Sequence, residues 1–324
     1  MTFKYDKVYL NETYTVVGPY EDKGPLGKYF DNSYEDLYCE ADSWEKAETK
    51  LLEESMKKAL RKNKLTKENI DLVISGDLLN QVTSSCYAAS KINKPFLGIY
   101  SACASNVEGL IIGSNFINSG IINNCLCGTS SHNMSSEKQF RNPTEYGAPK
   151  PETATFTATG GASAVISNKK SNIKIESATI GRIVDYNQKD ALNMGAVMAC
   201  AAADTLKRHL DDLNRKEDYY DLILTGDLGK VGLNILKEYY EKVYNERINK
   251  IMDAGDEIFL ETSQYSGGSG PVCLPLVFFT KILKNKKYKK ILIVGSGSLH
   301  NPTLVNQGKE IPAISHLVKI EVLL

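Results

Sequence analysis

The sequence predicts an α/β protein built from two copies of one β-α-β-rich unit, and three matches between its halves predict it. Residues 69–78 read NIDLVISGDL and residues 219–228 read YYDLILTGDL, an offset of 150. The stretch YSAC (100–103), followed by a helix-like run, is echoed by YSGG (265–268), followed by Val272–Lys284. The strand-like NNCLCGTSS (123–131) is echoed by KKILIVGSGS (289–298). The matches keep their order while the offset grows to about 167, so one half carries an insertion. Strands alternating with helices imply a mainly parallel sheet in each half, covered by helices. The halves are assigned to 1–168 and 172–324, divided at SNKKSN.

Each element has a local reason. In the first half Trp44, Ala47, Leu52, Met56 and Ala59 recur at helical period, with Asp42 or Ser43 as cap and Glu45 and Glu48 at the positive end. In the second half Met194, Val197, Met198, Ala201, Ala202, Thr205 and Leu206 repeat that stripe, with Asn193 as cap. Short apolar runs closed by Gly-Asp-Leu follow both helices and read as buried strands. Between His132 and Thr159 periodicity is weak and prolines intervene; loops of that length usually serve function or interfaces.

Composition narrows the function. A hydrophobic fraction of 42% in 324 residues supports a sizeable core. Lys+Arg and Asp+Glu are both 39, so the basic surplus expected of a nucleic-acid binder is missing. MTFKYDKVYL lacks the apolar core of a signal peptide, and the apolar run VCLPLVFF (272–279) is far too short to span a bilayer. Seven irregularly spaced cysteines read as reduced thiols of an intracellular protein. Cys125 and Cys127 have no further ligands at zinc spacing, SGGSGPV lacks the Lys-Ser/Thr of a phosphate loop, and GSGSLH is not a dinucleotide fingerprint. No cofactor is expected.

Candidate site residues gather at the repeated turns. Cys103, in GIYSACASNVEGL, sits where a strand gives way to a helix, a place that favours a thiolate. The same spacing suits an inert thiol among small residues, so both readings stand. His132 follows the strand ending CGTSS and could donate to a carboxylate. Asp77 and Asp227 end the repeated strands, where Asp caps turns well. Glu108 falls on a helix expected to be buried. His209, His300 and His316 read as packed or strand-flanking residues.

GIYSACASNVEGL, SSHNMSSEKQFRNPTEYG, DLILTGDL, SGGSG and IPAISH together resemble the SpoVAD family within the thiolase-like superfamily. The resemblance implies two stacked mixed sheets with helices between and outside, a pocket at Cys103, and a homodimer, which we place at the sheet edge near Asn123–Ser131. It also implies binding of dipicolinic acid (pyridine-2,6-dicarboxylate), free or as its calcium chelate. The setting implied is a peripheral one on the inner spore membrane, among other SpoVA proteins. Condensing enzymes of this superfamily place acid–base residues where this chain has Thr225-Gly226-Asp227, Ser266-Gly267-Gly268 and Val294. The expectation is therefore a non-catalytic pocket formed by Cys103, His132, Asp227, Ser266, Gly267 and Gly268. The alternative is a Cys103-dependent acyl-transfer enzyme.

Overall fold

The computed structural model describes residues 1–140, 150–260, 265–285 and 287–323. The first half runs through β1 (Thr2–Lys4), β2 (Tyr9–Val17), α1 (Pro19–Asp22), β3 (Asn32–Ser33), α2 (Trp44–Lys62), β4 (Leu72–Gly76) and α3 (Thr83–Ile92). It continues with β5 (Phe96–Gly98), α4 (Ser105–Asn118), β6 (Asn124–Ser131), α5 (Asn133–Phe140), β7 (Thr155–Thr157) and β8 (Gly160–Ser167). The second half contains β9 (Ile173–Thr179), α6 (Met194–Asp212), β10 (Leu222–Thr225), α7 (Gly229–Tyr244), β11 (Ile251–Asp253) and α8 (Ala254–Ile258). β12 (Gly267–Ser269), α9 (Cys273–Val277), β13 (Lys290–Ser298), α10 (Pro302–Asn306) and β14 (Ala313–Val322) complete it.

Among the described residues the main sheet has the order β11-β10-β13-β14-β9-β2-β8-β6-β4-β5, with β1 added at β9 and β3 at β2. The order is a palindrome: β4 matches β10, β5 matches β11, β6 matches β13, β8 matches β14, and β2 matches β9. The two halves of the sheet join where Tyr9 pairs with Lys174. In each half the three strands linked by crossover helices are parallel, whereas the next two are antiparallel. Each half is therefore mixed, because its last strands return beside their predecessors without a crossover helix.

The apolar stripes decide the layers. α4 packs on β4, β6 and β8 from one half and on β13 and β14 from the other. Its residues and those of α9 share one buried cluster with both halves of the sheet. α2 and α3 cover the outer face of the first half, and α6 and α7 that of the second. The expected caps form: Ser43 Oγ accepts from the Lys46 N–H, and Asn193 accepts from the Ala196 N–H.

Two expectations change. The weakly periodic stretch after His132 contains α5 and β7, and β7 pairs with β12 of the other half; residues 141–149 of it lie outside the described residues. The sheet edge is not at Asn123–Ser131. β6 is interior, paired with β4 on one side and β8 on the other. The outermost strand of the first half is β5, bordered by exposed Tyr87, Leu97 and Tyr100.

Candidate functional site

The Cys103 turn is strained and clamped. Ala102 adopts φ +48°, the left-handed region that disfavours a residue with a Cβ. Ser105 holds the turn closed: its hydroxyl donates to the Ala102 carbonyl (2.8 Å) and accepts from the Ser101 N–H (3.0 Å). Strand β13 presses against it from the other half. A Cβ on Gly297 would lie 2.1 Å from the Ser101 carbonyl oxygen, and one on Gly295 would strike Val107. The small residues of ACAS and of GSGS thus answer one another across the halves. Cys103 itself is a buried, reduced thiol just ahead of α4, whose dipole favours negative charge there.

Cys103 lines a cavity of about 40 Å3. α5 contributes Ser136 and Phe140 to its wall, β7 contributes Thr157, and β12 contributes Ser269. The end of β13 contributes Ser298 and, beyond it, His300. The hydroxyls of Ser136 and Ser298 are buried and lack a hydrogen-bond partner among the described residues. Leu78, Tyr100, Phe140 and His300 also line a wider outer groove of about 580 Å3. The Phe140 and His300 rings lie 5.9 Å apart, tilted by 40°, where the two spaces meet.

The remaining expected site residues lie elsewhere. His132 is buried with both ring nitrogens engaged by backbone: one bonds the Leu37 carbonyl (2.7 Å) and the other accepts from the Met134 N–H (3.2 Å). Burial lowers its pKa to about 4, so it is neutral, and it does not line the cavity. His300 enters in its place. Ser266 works as a cap, its hydroxyl accepting from the Val231 N–H and its carbonyl from the Lys230 N–H. Gly267 pairs with Thr155 at φ +138°, and a Cβ there would lie 2.7 Å from the Gly255 carbonyl oxygen. A Cβ on Gly268 would meet Ile258 at 2.5 Å. These two glycines serve close packing; the next residue, Ser269, is the one that reaches the cavity.

Asp227 is fully buried at φ +75°, and neither carboxyl oxygen has a hydrogen-bond partner among the described residues. Burial, and next the Asp253 carboxylate, push its pKa well above the ordinary range, opposed by the Gly270 backbone N–H. It lies outside the cavity wall. A side chain at Gly226 would collide with Leu274 of α9, its Cβ only 2.7 Å from that residue's. Packing of α9 against the end of β10 thus holds position 226 to glycine. Val294 belongs to the outer cluster under α6 and α7.

Behind the turn, Ser101 links the halves. Its hydroxyl lies 3.5 Å from His316 Nε2, while His316 Nδ1 accepts from the Gly181 N–H. Burial lowers the His316 pKa to about 4 and raises that of Glu108, the latter offset by the Ser101 hydroxyl. His209 bonds Thr179 Oγ1 at 2.8 Å and is structural. Cys125 and Cys127 lie 3.8 Å apart between their sulfurs, and no group of three metal-ligating side chains occurs among the described residues.

The stage V sporulation protein AD (SpoVAD) family matches residues 1–321. This chain belongs to the SpoVAD family. It is 42% identical over 318 residues to stage V sporulation protein AD of Bacillus subtilis (strain 168), covering 97% of this chain and 94% of that protein. The fold is thiolase-like. The chain resembles 3-oxoacyl-[acyl-carrier-protein] synthase III of Aquifex aeolicus VF5 with a TM-score of 0.59 at 14% identity, covering 97% of this chain and 99% of that one. It also resembles OleA of Xanthomonas campestris crystallised with lauric acid and lauroyl-CoA, with a TM-score of 0.62 at 13% identity, covering 98% and 99%. Among the described residues no helix of this SpoVAD family member is long and apolar enough to cross a membrane.

Proposed function

We propose that this SpoVAD family member binds dipicolinic acid without catalysis and supports its uptake into the developing spore, held peripherally at the inner spore membrane by other SpoVA proteins. The observation that carries the reading is the cavity at Cys103. It keeps the nucleophile's turn and the anion-favouring helix end, while Gly226, Gly267 and Gly268 leave no room for the acid–base side chains of condensing enzymes. What replaces them is a mostly apolar wall, including Leu78, Phe140 and Met194, with serine residues set into it, suited to an aromatic ring. The outer groove falls within the size range of small-molecule sites, roughly 300–1,000 Å3. A few hydrogen bonds to charged carboxylates, roughly 1.5–3 kcal/mol each, support micromolar affinity, about −8 kcal/mol. Equilibrium dialysis against dipicolinate tests it: saturable micromolar binding supports the reading, and none at millimolar ligand contradicts it.

One observation favours a second reading. His300 lines the same cavity as Cys103, so a cysteine–histidine pair could accept an acyl group from a thioester. Incubation with acyl-coenzyme A followed by intact-mass spectrometry separates the two. Stoichiometric acylation of Cys103 with turnover supports the enzyme; an unmodified chain supports the binder. We further propose a homodimer joined along β5, an outer strand where Leu97 is exposed beside the exposed Tyr87 of α3. Light scattering at micromolar concentration should give twice the chain mass, and a strictly monomeric mass would contradict it.

A further inference from the structure

We infer that the end of the molecule opposite the Cys103 cavity is a docking face for an anionic lipid bilayer, with Ile121 as its apolar tip and exposed lysines around it. This goes beyond the reading above, which brings the chain to a membrane through partner proteins, and it stands independently of the dipicolinate proposal. α4 starts beside Cys103 and carries the chain to this face, roughly 20 Å away by helix rise. β13 likewise starts here at Lys290 and ends at Ser298 on the cavity.

The tip follows from how α4 ends. The Gly120 N–H donates to the Ile117 carbonyl (3.0 Å) and the Ile121 N–H to the Phe116 carbonyl (3.1 Å), with Gly120 at φ +75°. In a helix ending of this kind an apolar residue at the Ile121 position frequently packs back on the last turn. Ile121 is instead 69% exposed, the most exposed large apolar side chain among the described residues.

The connections around it are basic. Segments 4–8, 168–174 and 283–290 together hold ten lysines and one acid, Asp6. The Asp6 N–H donates to Asn118 Oδ1 (3.0 Å), which sets exposed Lys7 near the tip. The Asn168 N–H donates to the Asn123 carbonyl (3.2 Å) and its side-chain amide to Asn123 Oδ1 (2.7 Å), which brings exposed Lys169 and Lys170 there. The Ser167 and Ser171 hydroxyls fix that turn by accepting from the Lys169 and Ile173 N–H groups. The Leu323 N–H bonds the Asn172 carbonyl and the Val322 N–H the Lys289 carbonyl, so exposed Lys289 and Lys287 lie just across the last strand. Acids at this end are engaged. Asp71 accepts from the Asn123 and Asn124 N–H groups, Asp221 accepts from those of Lys289 and Lys290, and Glu321 pairs with buried Lys319. Lys7, Lys169, Lys170, Lys287 and Lys289 form no ion pair among the described residues. The chain's net charge is zero, so this surplus leaves acids in excess elsewhere, and the resulting field turns this face toward a negative surface. An acidic protein would meet the lysines but gives the tip no apolar layer to enter; a bilayer with anionic headgroups supplies both.

Flotation of the full chain with phosphatidylcholine vesicles, with and without phosphatidylglycerol, tests this. The parent should float with the anionic vesicles only, and should be released at about 1 M salt, where screening is strong. Lys169→Ala/Lys170→Ala and Lys287→Ala/Lys289→Ala should each weaken binding by about tenfold or more, from roughly fivefold per lysine near the surface. Ile121→Ser should weaken it by about fivefold, since the apolar tip is lost. Lys46→Ala/Lys138→Ala removes as much charge at the cavity end, where Lys138 pairs with Glu45 of α2, and should bind like the parent. All these side chains are exposed, so melting temperatures should stay close to the parent's. A parent that leaves anionic vesicles unbound would overturn the inference, and one that binds polyglutamate instead would make an acidic protein the occupant. Equal losses in the Lys46/Lys138 variant and the two patch variants would overturn the placement on this face. Parental binding by Ile121→Ser would overturn the role of the tip.

Discussion

The two repeats end their matching strands with the same residue types and use them differently. After β4, Asp77 accepts from the Leu79 N–H (2.9 Å) and the Ser85 N–H (2.8 Å), fixing the turn into α3. After β10, Asp227 does not hold its own turn in this way, its one backbone contact being with Gly270, and Asp253 from β11 does the equivalent work. It accepts from the Gly229 and Gly255 N–H groups (2.9 Å each) and the Leu228 N–H (3.2 Å). The ends of β6 and β13 differ likewise. His132 is locked onto backbone, whereas His300 lines the cavity. Duplication supplied the strands and turns twice, but the cavity lies at one Cys103 turn, so only one copy of each pair can face it.

The two halves press closest at Gly297. Gly297→Val would drive a side chain into the Ser101 carbonyl, 2.1 Å from its Cβ, and backbone cannot yield cheaply. Overpacking of this kind costs typically 1–3 kcal/mol and occasionally more; a loss of about 3 kcal/mol or greater is expected, read from urea midpoints. An unchanged midpoint would show that β13 does not clamp the turn. Matched substitutions test the aspartates next. Asp77→Asn removes a charged acceptor from two buried N–H groups and should cost about 1.5–3 kcal/mol. Asp227→Asn replaces a buried carboxyl whose ionisation burial disfavours with an amide of the same shape, at a φ that Asn tolerates, and should cost less than Asp77→Asn. Equal losses at both sites would contradict the division of labour.

A smaller effect appears with pH. Burial, and next the Asp77 charge, raise the Glu48 carboxyl to about 8, with the Ser135 and Ser130 hydroxyls opposing. The folded state therefore holds a proton that the unfolded chain, with its ordinary glutamate, has released. Stability from this group is present below the unfolded pKa of 4.5 and lost as pH rises toward about 8. The buried His132 and His316, both lowered to about 4, act in the opposite sense, but only below their ordinary value of 6.5. Glu21 and Asp253, raised by burial to about 7, act in the same sense as Glu48, so between pH 6.5 and 8 the parent's melting temperature should fall. Glu48→Gln should make that decline shallower, most clearly above pH 7. A variant whose profile tracks the parent's would place the lost proton elsewhere.

The layers were legible because the repeat and the apolar stripes are local signals, and Ser43 and Asn193 cap as their positions require. Cys103 was legible from its strand-to-helix position. The rest of the wall was not. Ser136 and Phe140 lie on an eight-residue helix whose periodicity is weak, inside a stretch that reads as loop. His300 follows β13 as His132 follows β6, and the pattern alone does not say which faces the cavity. Ser266, Gly267 and Gly268 drew attention as a glycine-rich loop, yet their smallness answers to Gly255 and Ile258. That β6 is interior depends on β8 returning beside it, a non-local pairing that no short motif encodes.

The second-half His300, not the first-half His132, lines the cavity. Dipicolinate titrated calorimetrically into the parent, His300→Ala and His132→Asn tests it directly, with circular dichroism confirming that each variant is folded. His300→Ala should weaken binding by about tenfold or more, about 1.4 kcal/mol, while folded His132→Asn should bind like the parent. A His300→Ala protein with parental affinity, beside a folded His132→Asn protein that has lost it, would contradict the account.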